Sequence, residues 1–190
     1  MNTLCKVLIA LLVTFAVAML GLNLKLSTRN RQIQAQIRAE FQRQELANTP
    51  VRGWTMPPLK GHDGKGLPLQ VDLQGKDRVL LLFSASCGVC DENWPNWQRL
   101  LADPSLSSQL VPISFDKSVA DEYLKKHQIS DREVLVGLDP DIVKSMRLGM
   151  TPQTIVVRQG KVEHSWVGRL SRSDLREIKG LLNRESASKM

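Results

Sequence analysis

Cys87 and Cys90, with Gly88-Val89 between them, have the residue type and spacing for thiol-disulfide chemistry. The run Val79-Leu80-Leu81-Leu82-Phe83 before them is continuously apolar, as a central strand covered on both faces requires, and Gly88 to Leu101 has helical character. Cys87 is therefore expected at a helix N-terminus, where unpaired backbone N–H groups and the positive end of the helix dipole favour a thiolate over a thiol. Cys90, one turn further in, is expected to be more shielded. Residues three apart share a helix face, so a mixed disulfide formed at Cys87 can be resolved by attack from Cys90.

Two plainer readings compete. A zinc site needs further ligands, but no second CxxC follows and His62, His127 and His164 show no paired ligand spacing. A structural disulfide or two inert core thiols is the other, since cysteine is often buried. The strand-CxxC-helix context favours redox chemistry over both. Cys5, the third cysteine, is expected unpaired at the edge of an N-terminal apolar segment and is given no chemistry.

The elements that must position the motif read in order. Pro57-Pro58 and the cluster Gly61 to Gly66 mark turns before the alternating Leu67-Pro68-Leu69-Gln70-Val71, a short hairpin on the sheet edge with His62 as a solvated turn residue. Pro95 falls inside the motif helix, where it should cause a kink, and Trp94, Trp97, Leu100 and Leu101 supply its packing face. Leu110 to Phe115 is the next strand. Asp116 is expected to cap a helix over Lys117 to His127, with Val119, Tyr123 and Leu124 inward and His127 complementing the dipole. Glu133 to Leu138 reads as a short strand. Asp139-Pro140 opens a helix through Arg147, which Gly149 stops. Ile155 to Arg158 and Lys161 to Val167 form a hairpin about Gln159-Gly160, and Ser171 to Asn183 is an amphipathic helix with Leu175, Ile178, Leu181 and Leu182 inward. The fold class is α/β, a mixed sheet flanked by helices, without internal repeats.

With 190 residues there is room for one ordinary domain and an appendage. Of the net charge of +7, residues 1–50 carry six Lys/Arg against two Glu, and the rest carry 20 basic against 17 acidic residues. The excess lies largely outside the domain, and no basic stripe with interleaved aromatics occurs, so nucleic acid is not an expected partner. Val7 to Leu22 is apolar or small apart from Thr14, longer than a usual signal-peptide core and close to a membrane span, so an uncleaved anchor is favoured over a signal peptide. Lys25 to Asn48 reads as a polar helix with a narrow stripe of Ile33, Ile37 and Phe41, a stand-off linker that Thr49-Pro50 ends. The expected organisation is thus 1–24 anchor (or signal peptide), 25–50 helical linker, and 51–190 globular domain. Lys6 and the amino terminus face Lys25, Arg29 and Arg31 across the apolar run, which by the positive-inside rule places the domain in the cytoplasm.

With the CxxC at a strand-helix junction, Pro95 within the helix and Thr151-Pro152 ahead of the closing hairpin, residues 54 to 184 resemble a thioredoxin-fold protein. The chain is most similar to the membrane-anchored TlpA/ResA-like thiol-disulfide oxidoreductases, which share an N-terminal anchor, a Gly-rich entry hairpin and additional elements before the cis-proline, here Asp116 to Leu148. The resemblance implies Cys87 as attacking and Cys90 as resolving cysteine. It implies a cis bond before Pro152, with the Thr151 backbone pairing an extended substrate, and a close backbone approach at Gly168. It also implies protein thiol or disulfide substrates, a membrane or periplasmic thiol donor, no cofactor or metal, and a single-pass location in a bacterial inner membrane with the domain in the periplasm, opposite to the charge rule.

Departures bear on tuning. Ser86 stands where a Trp is common, Leu81 where thioredoxin has a buried acid, and Asn93 where many TlpA/ResA-like members have a glutamate, so the usual general base for the buried thiol is missing. Asp91 and Glu92 are expected to be solvated. Val89 between the cysteines cannot hold a thiolate as a histidine there would, which favours a reductant. The alternatives are a thiol oxidase or isomerase on the same scaffold, or a Sco-like copper-handling assembly protein with His164 as its one candidate ligand, and a plain tether in which the CxxC is incidental.

Overall fold

The computed structural model describes residues 3–183, which divide after Leu46 into two compact units. The first is one uninterrupted helix, α1 (Thr3–Ala47), so the apolar and polar stretches follow each other without a break. Its side chains from Leu11 to Leu26 are exposed, and it is long and apolar enough to cross a membrane. Ile33, Ile37 and Phe41 are likewise exposed. The Cys5 side chain lies outside the described residues.

The second unit is built on strands β1 (Leu59–His62), β2 (Pro68–Val71), β3 (Arg78–Phe83), β4 (Leu110–Ser114), β5 (Leu135–Val136), β6 (Gln153–Arg158) and β7 (Lys161–Val167). They form one mixed sheet in the order β2-β1-β5-β4-β3-β6-β7, flanked by helices α2 (Gly88–Leu101), α3 (Asp121–His127), α4 (Pro140–Ser145) and α5 (Arg172–Asn183). The apolar run of β3 is explained by its place. It pairs in parallel with β4 and antiparallel with β6, and its side chains alternate between two cores. Val79, Leu81 and Phe83 pack with Trp94, Trp97 and Leu100 of α2 and Leu175, Ile178 and Leu181 of α5. Leu80 and Leu82 pack on the other side with Met56, Leu59, Leu135, Met146 and Leu148. Each fully buried Leu or Phe here is worth about 1.5–3 kcal/mol of transfer free energy, which fixes β3 and so the start of α2.

Four local expectations need correction. Asp116 caps no helix: α3 begins at Asp121 with Ala120 as a cap that makes no side-chain bond, because the Asp116 carboxylate is bound elsewhere. His62 is the last residue of β1, half-buried, paired with Pro68 and Val136, rather than a solvated turn residue. Glu133 to Leu138 yields only the two-residue β5. The stop after α4 is Arg147, not Gly149. Arg147 takes the left-handed conformation at φ 53° while Leu148 N–H reaches back to Val143 O at 2.9 Å and buries its side chain. Gly149 instead packs against the Asn48 side chain, whose Oδ1 would lie 2.7 Å from a Cβ there and would have to move aside.

Candidate active site

Cys87 is the N-cap of α2, with φ −93° and ψ 105°, and its sulfur accepts a hydrogen bond from Cys90 N at 3.3 Å. The same sulfur lies 3.6 Å from Thr151 O, to which the thiol can donate. Both cysteines are free thiols, Cys87 partly exposed and Cys90 buried. Partial burial of the Cys87 sulfur opposes ionisation, but hydrogen bonds from the Cys90 and Thr151 side chains and the backbone of Cys90 and Val89 outweigh it, so its pKa lies below the ordinary thiol value. Burial pushes the Cys90 thiol the other way, up to about 12, reinforced by the neighbouring Cys87. One thiol is prepared to ionise at the surface, and the other keeps its proton beneath it.

The loop between β3 and α2 is held by a residue that sequence reasoning placed in another role. Asp116, just past β4, accepts from Ser84 Oγ at 2.9 Å, from Ala85 N at 2.6 Å and from Ser114 Oγ at 3.1 Å. Ser84 Oγ is also 2.9 Å from Ser86 Oγ and accepts from Ser86 N at 3.3 Å, and Cys87 N donates to Ser84 O at 3.1 Å. Local pattern gives no sign of this, since an Asp after a strand reads first as a helix cap. The Ser84 and Ser114 hydroxyls, at the adjoining ends of β3 and β4, were the available hint.

On the opposite rim, the Thr151–Pro152 peptide bond is cis, and Pro152 O accepts from Gly168 N at 2.8 Å, with Gly168 at φ 86°. Thr151 thus faces Cys87 across 64 residues of sequence. Below, Leu81 is fully buried opposite Thr154, whose hydroxyl accepts from Trp97 Nε1 at 2.9 Å. Asn93, in the position of the familiar glutamate, is fully buried and structural: its Oδ1 accepts from Leu170 N at 2.9 Å and Asn96 Nδ2 at 3.3 Å, tying the loop after β7 to α2.

Asp91 is not simply solvated, as its carboxylate pairs with Lys126 Nζ at 2.8 Å and with His127 Nε2 at 3.1 Å. The Lys126 hydrogen bond, against slight burial, holds the Asp91 carboxyl below its usual range. His127 is buried and stacks on Trp94 at 4.7 Å, and Tyr123 OH accepts from Trp94 Nε1 at 2.8 Å. Burial keeps the His127 pKa below its ordinary value despite Asp91, so it packs as a neutral ring and is no cation for the dipole of α3. His164 lies on β7, its Nδ1 3.9 Å from Glu177 Oε1 and its ring 4.2 Å from that of Trp166.

No family model and no curated protein matches the sequence. Among solved structures, similarity extends to a thiol:disulfide interchange protein of the thioredoxin family from Chlorobium tepidum TLS, with a TM-score of 0.52 and 20% identity over 70% of this chain and 97% of that one. A thiol:disulfide interchange protein from Bacteroides sp. superimposes with a TM-score of 0.52 at 18% identity, over 70% and 91% of the two chains. The thioredoxin domain of the thiol-disulfide oxidoreductase BVU-2223 from Bacteroides vulgatus gives 0.50 at 21% identity, over 70% and 99%. The seven-stranded mixed sheet, with α2 springing from the interior strand β3, has the thioredoxin-like fold of these structures.

Proposed function

We propose that this protein is a membrane-tethered thiol-disulfide oxidoreductase that reduces disulfides in extracytoplasmic partner proteins. The observation that carries the reading is the split between the two thiols: Cys87 with its pKa below the ordinary value at the N-cap of α2, and Cys90 buried with its pKa up to about 12. In the reaction, the Cys87 thiolate attacks one sulfur of a substrate cystine, forming a Cys87–substrate disulfide and expelling the other substrate sulfur as a thiolate. Cys90 then gives up its proton and attacks the Cys87 sulfur. The enzyme is left as a Cys87–Cys90 disulfide, the substrate as a dithiol, and two electrons have passed to the substrate. Turnover requires a dithiol donor, in the membrane or on its outer side, to return those electrons.

Residues 1–24 serve as the anchor, 25–50 as the stand-off and 51–190 as the catalytic domain. This assignment rests on the exposed apolar side chains of α1 and on the resemblance, which puts the domain in the periplasm of a bacterial inner membrane. Thr151 and Pro152 form the substrate-binding rim: the Thr151 carbonyl beside Cys87 offers a backbone acceptor to an extended segment at the attacked sulfur. Reduction is favoured over oxidation because the Val89 side chain, 48% exposed, adds no hydrogen bond or charge to its backbone contact with the Cys87 thiolate, whereas a strong oxidant needs its reduced form further stabilised. The test is trapping with Cys90→Ser, which should leave the partner protein disulfide-bonded to Cys87. Loss of all adducts in Cys87→Ser is expected, and equal adduct yield in both variants overturns the assignment of roles. A reduction potential as oxidising as about −120 mV would overturn the reductive direction in favour of an oxidase or isomerase.

A further inference from the structure

On α1, Asn23, Leu26, Asn30, Ile33 and Ile37 follow one another in alternate steps of three and four residues, and Phe41 continues the row one turn on. Such steps keep side chains on one helix face, with the spacing that two helices wound about each other require. Leu26, Ile33, Ile37 and Phe41 are 45% to 64% exposed, although the stretch that carries them is otherwise polar. An apolar row of this kind in water marks a contact surface. At about 100° per residue, Lys25, Arg31, Arg38 and Glu45 turn away from the row, and Arg29 and Arg43 flank it. Glu40 falls in the next place of the heptad, its carboxylate 3.5 Å from Arg43 Nη1 on its own helix, so the row ends there.

We propose that this face of α1 pairs with the same face of a second copy, parallel and in register, so that two catalytic domains share one two-stranded stalk. The inference rests on the anchor reading and adds a partner to it. The helix is unbroken from Thr3 to Ala47, so every copy inserted in one membrane holds its row at the same height and in the same direction. Asn30 identifies the occupant. Asn23 already donates from Nδ2 to Met19 O at 3.1 Å, whereas Asn30 is exposed between Leu26 and Ile33. A carboxamide both donates and accepts, so Asn30 is complementary to itself across a two-fold axis, and in the core of a coil such a residue fixes register and strand number. In that register Arg29 meets Gln34 of the second copy, not a like charge. A row this short is a weak zipper for helices free in solution, but a shared membrane confines both copies to one plane and raises their effective concentration.

The test uses the full chain in phosphatidylcholine vesicles, with Cys5, Cys87 and Cys90 replaced by Ser and one new cysteine placed in α1. Copper phenanthroline in air oxidises neighbouring thiols, and a non-reducing gel reads the dimer. Ile33→Cys and Ile37→Cys should give at least about fivefold more dimer than Ala35→Cys and Gln42→Cys, which lie on the far face, and the excess should survive dilution with lipid. Ile37→Glu should bring the yield of Ile33→Cys down to the far-face level. With Ile33→Cys as reporter, Asn30→Asp and Asn30→Lys chains should each crosslink poorly alone and well when mixed, since only a like-with-like contact brings the two positions together. Equal yields on the two faces, in a chain that floats with the vesicles, overturn the pairing alone. An Ile37→Cys chain that is shielded from maleimide yet gives no dimer means that the chain's own domain covers the face, and also overturns it. A chain that fails to float with the vesicles overturns the anchor reading, and the parallel pairing falls with it.

Discussion

Asp116 offers a quantitative test of how the loop before Cys87 is held. In Asp116→Ala, Ser84 Oγ, Ala85 N and Ser114 Oγ all lose their acceptor, at 2.9, 2.6 and 3.1 Å in the folded protein. A hydrogen bond to a charged group is worth about 1.5–3 kcal/mol net, but water can reach two of these three donors, so the expected loss is about 2–4 kcal/mol rather than the full sum. Most of it falls on the buried Ser114 hydroxyl and on the ordering of residues 84–86. Asp116→Asn should be much milder. Its amide oxygen can replace Oδ2 toward Ala85 N and Ser114, and its nitrogen can donate to Ser84 Oγ, whose proton then turns to Ser86 Oγ at 2.9 Å. About 1 kcal/mol is expected, the difference between charged and neutral bonds. Urea unfolding followed by the fluorescence of the buried Trp94 and Trp97 measures both variants, with an unchanged m value as the check on two-state behaviour. An alanine variant within about 0.5 kcal/mol of wild type, or an asparagine variant as damaged as alanine, would refute the argument.

Two further outcomes concern titration. In Cys90→Ser, alkylation of Cys87 by iodoacetamide should reach half its limiting rate at a pH below that of a free cysteine, about 8.5, and a midpoint at or above that value contradicts the N-cap account. Burial holds His127 neutral in the folded state, so the unfolded chain binds its proton more readily, and stability should fall as pH drops through the ordinary histidine value of about 6.5. The depressed Asp91 carboxyl acts only in the more acid range of carboxylates, so urea midpoints at pH 7.5 and 5.5 isolate the histidine. His127→Gln should flatten that interval, and an equal slope in the variant rules the explanation out.

The positions of β3 and α2 were legible because local pattern and burial agree there: five apolar residues in a row need two covered faces, and the helix spacing of Trp94, Trp97 and Leu100 matches one core. The strands β6 and β7 and the helix α5 were legible for the same reason. What local pattern missed was set by partners far along the chain. Asp116 chose Ser84 and Ala85 over the helix that follows it, Asp91 found His127, and Asn93 found the backbone of Leu170. The segment between β4 and β6 was read least well because its elements are short. β5 has two residues and α4 six, so each is positioned by packing and closing turns such as that at Arg147 rather than by its own periodicity.

The contact between Cys87 and Thr151 joins residues 64 apart in sequence, through the antiparallel pairing of β3 with β6. Such a closure costs loop entropy before it returns any stabilisation, so it belongs to the late, cooperative part of folding. A nascent chain that has emerged only as far as Arg158 can first complete it, and one stopped before Thr151 carries both cysteines with the contacts of α2 but without the Thr151 contribution to the lowered first pKa. The reactivity of Cys87 therefore reports assembly in two stages: in a pulse-labelling experiment, alkylation should quicken first with formation of α2, which supplies the Cys90 and Val89 contacts, and again with amide protection in β3 and β6, when Thr151 arrives.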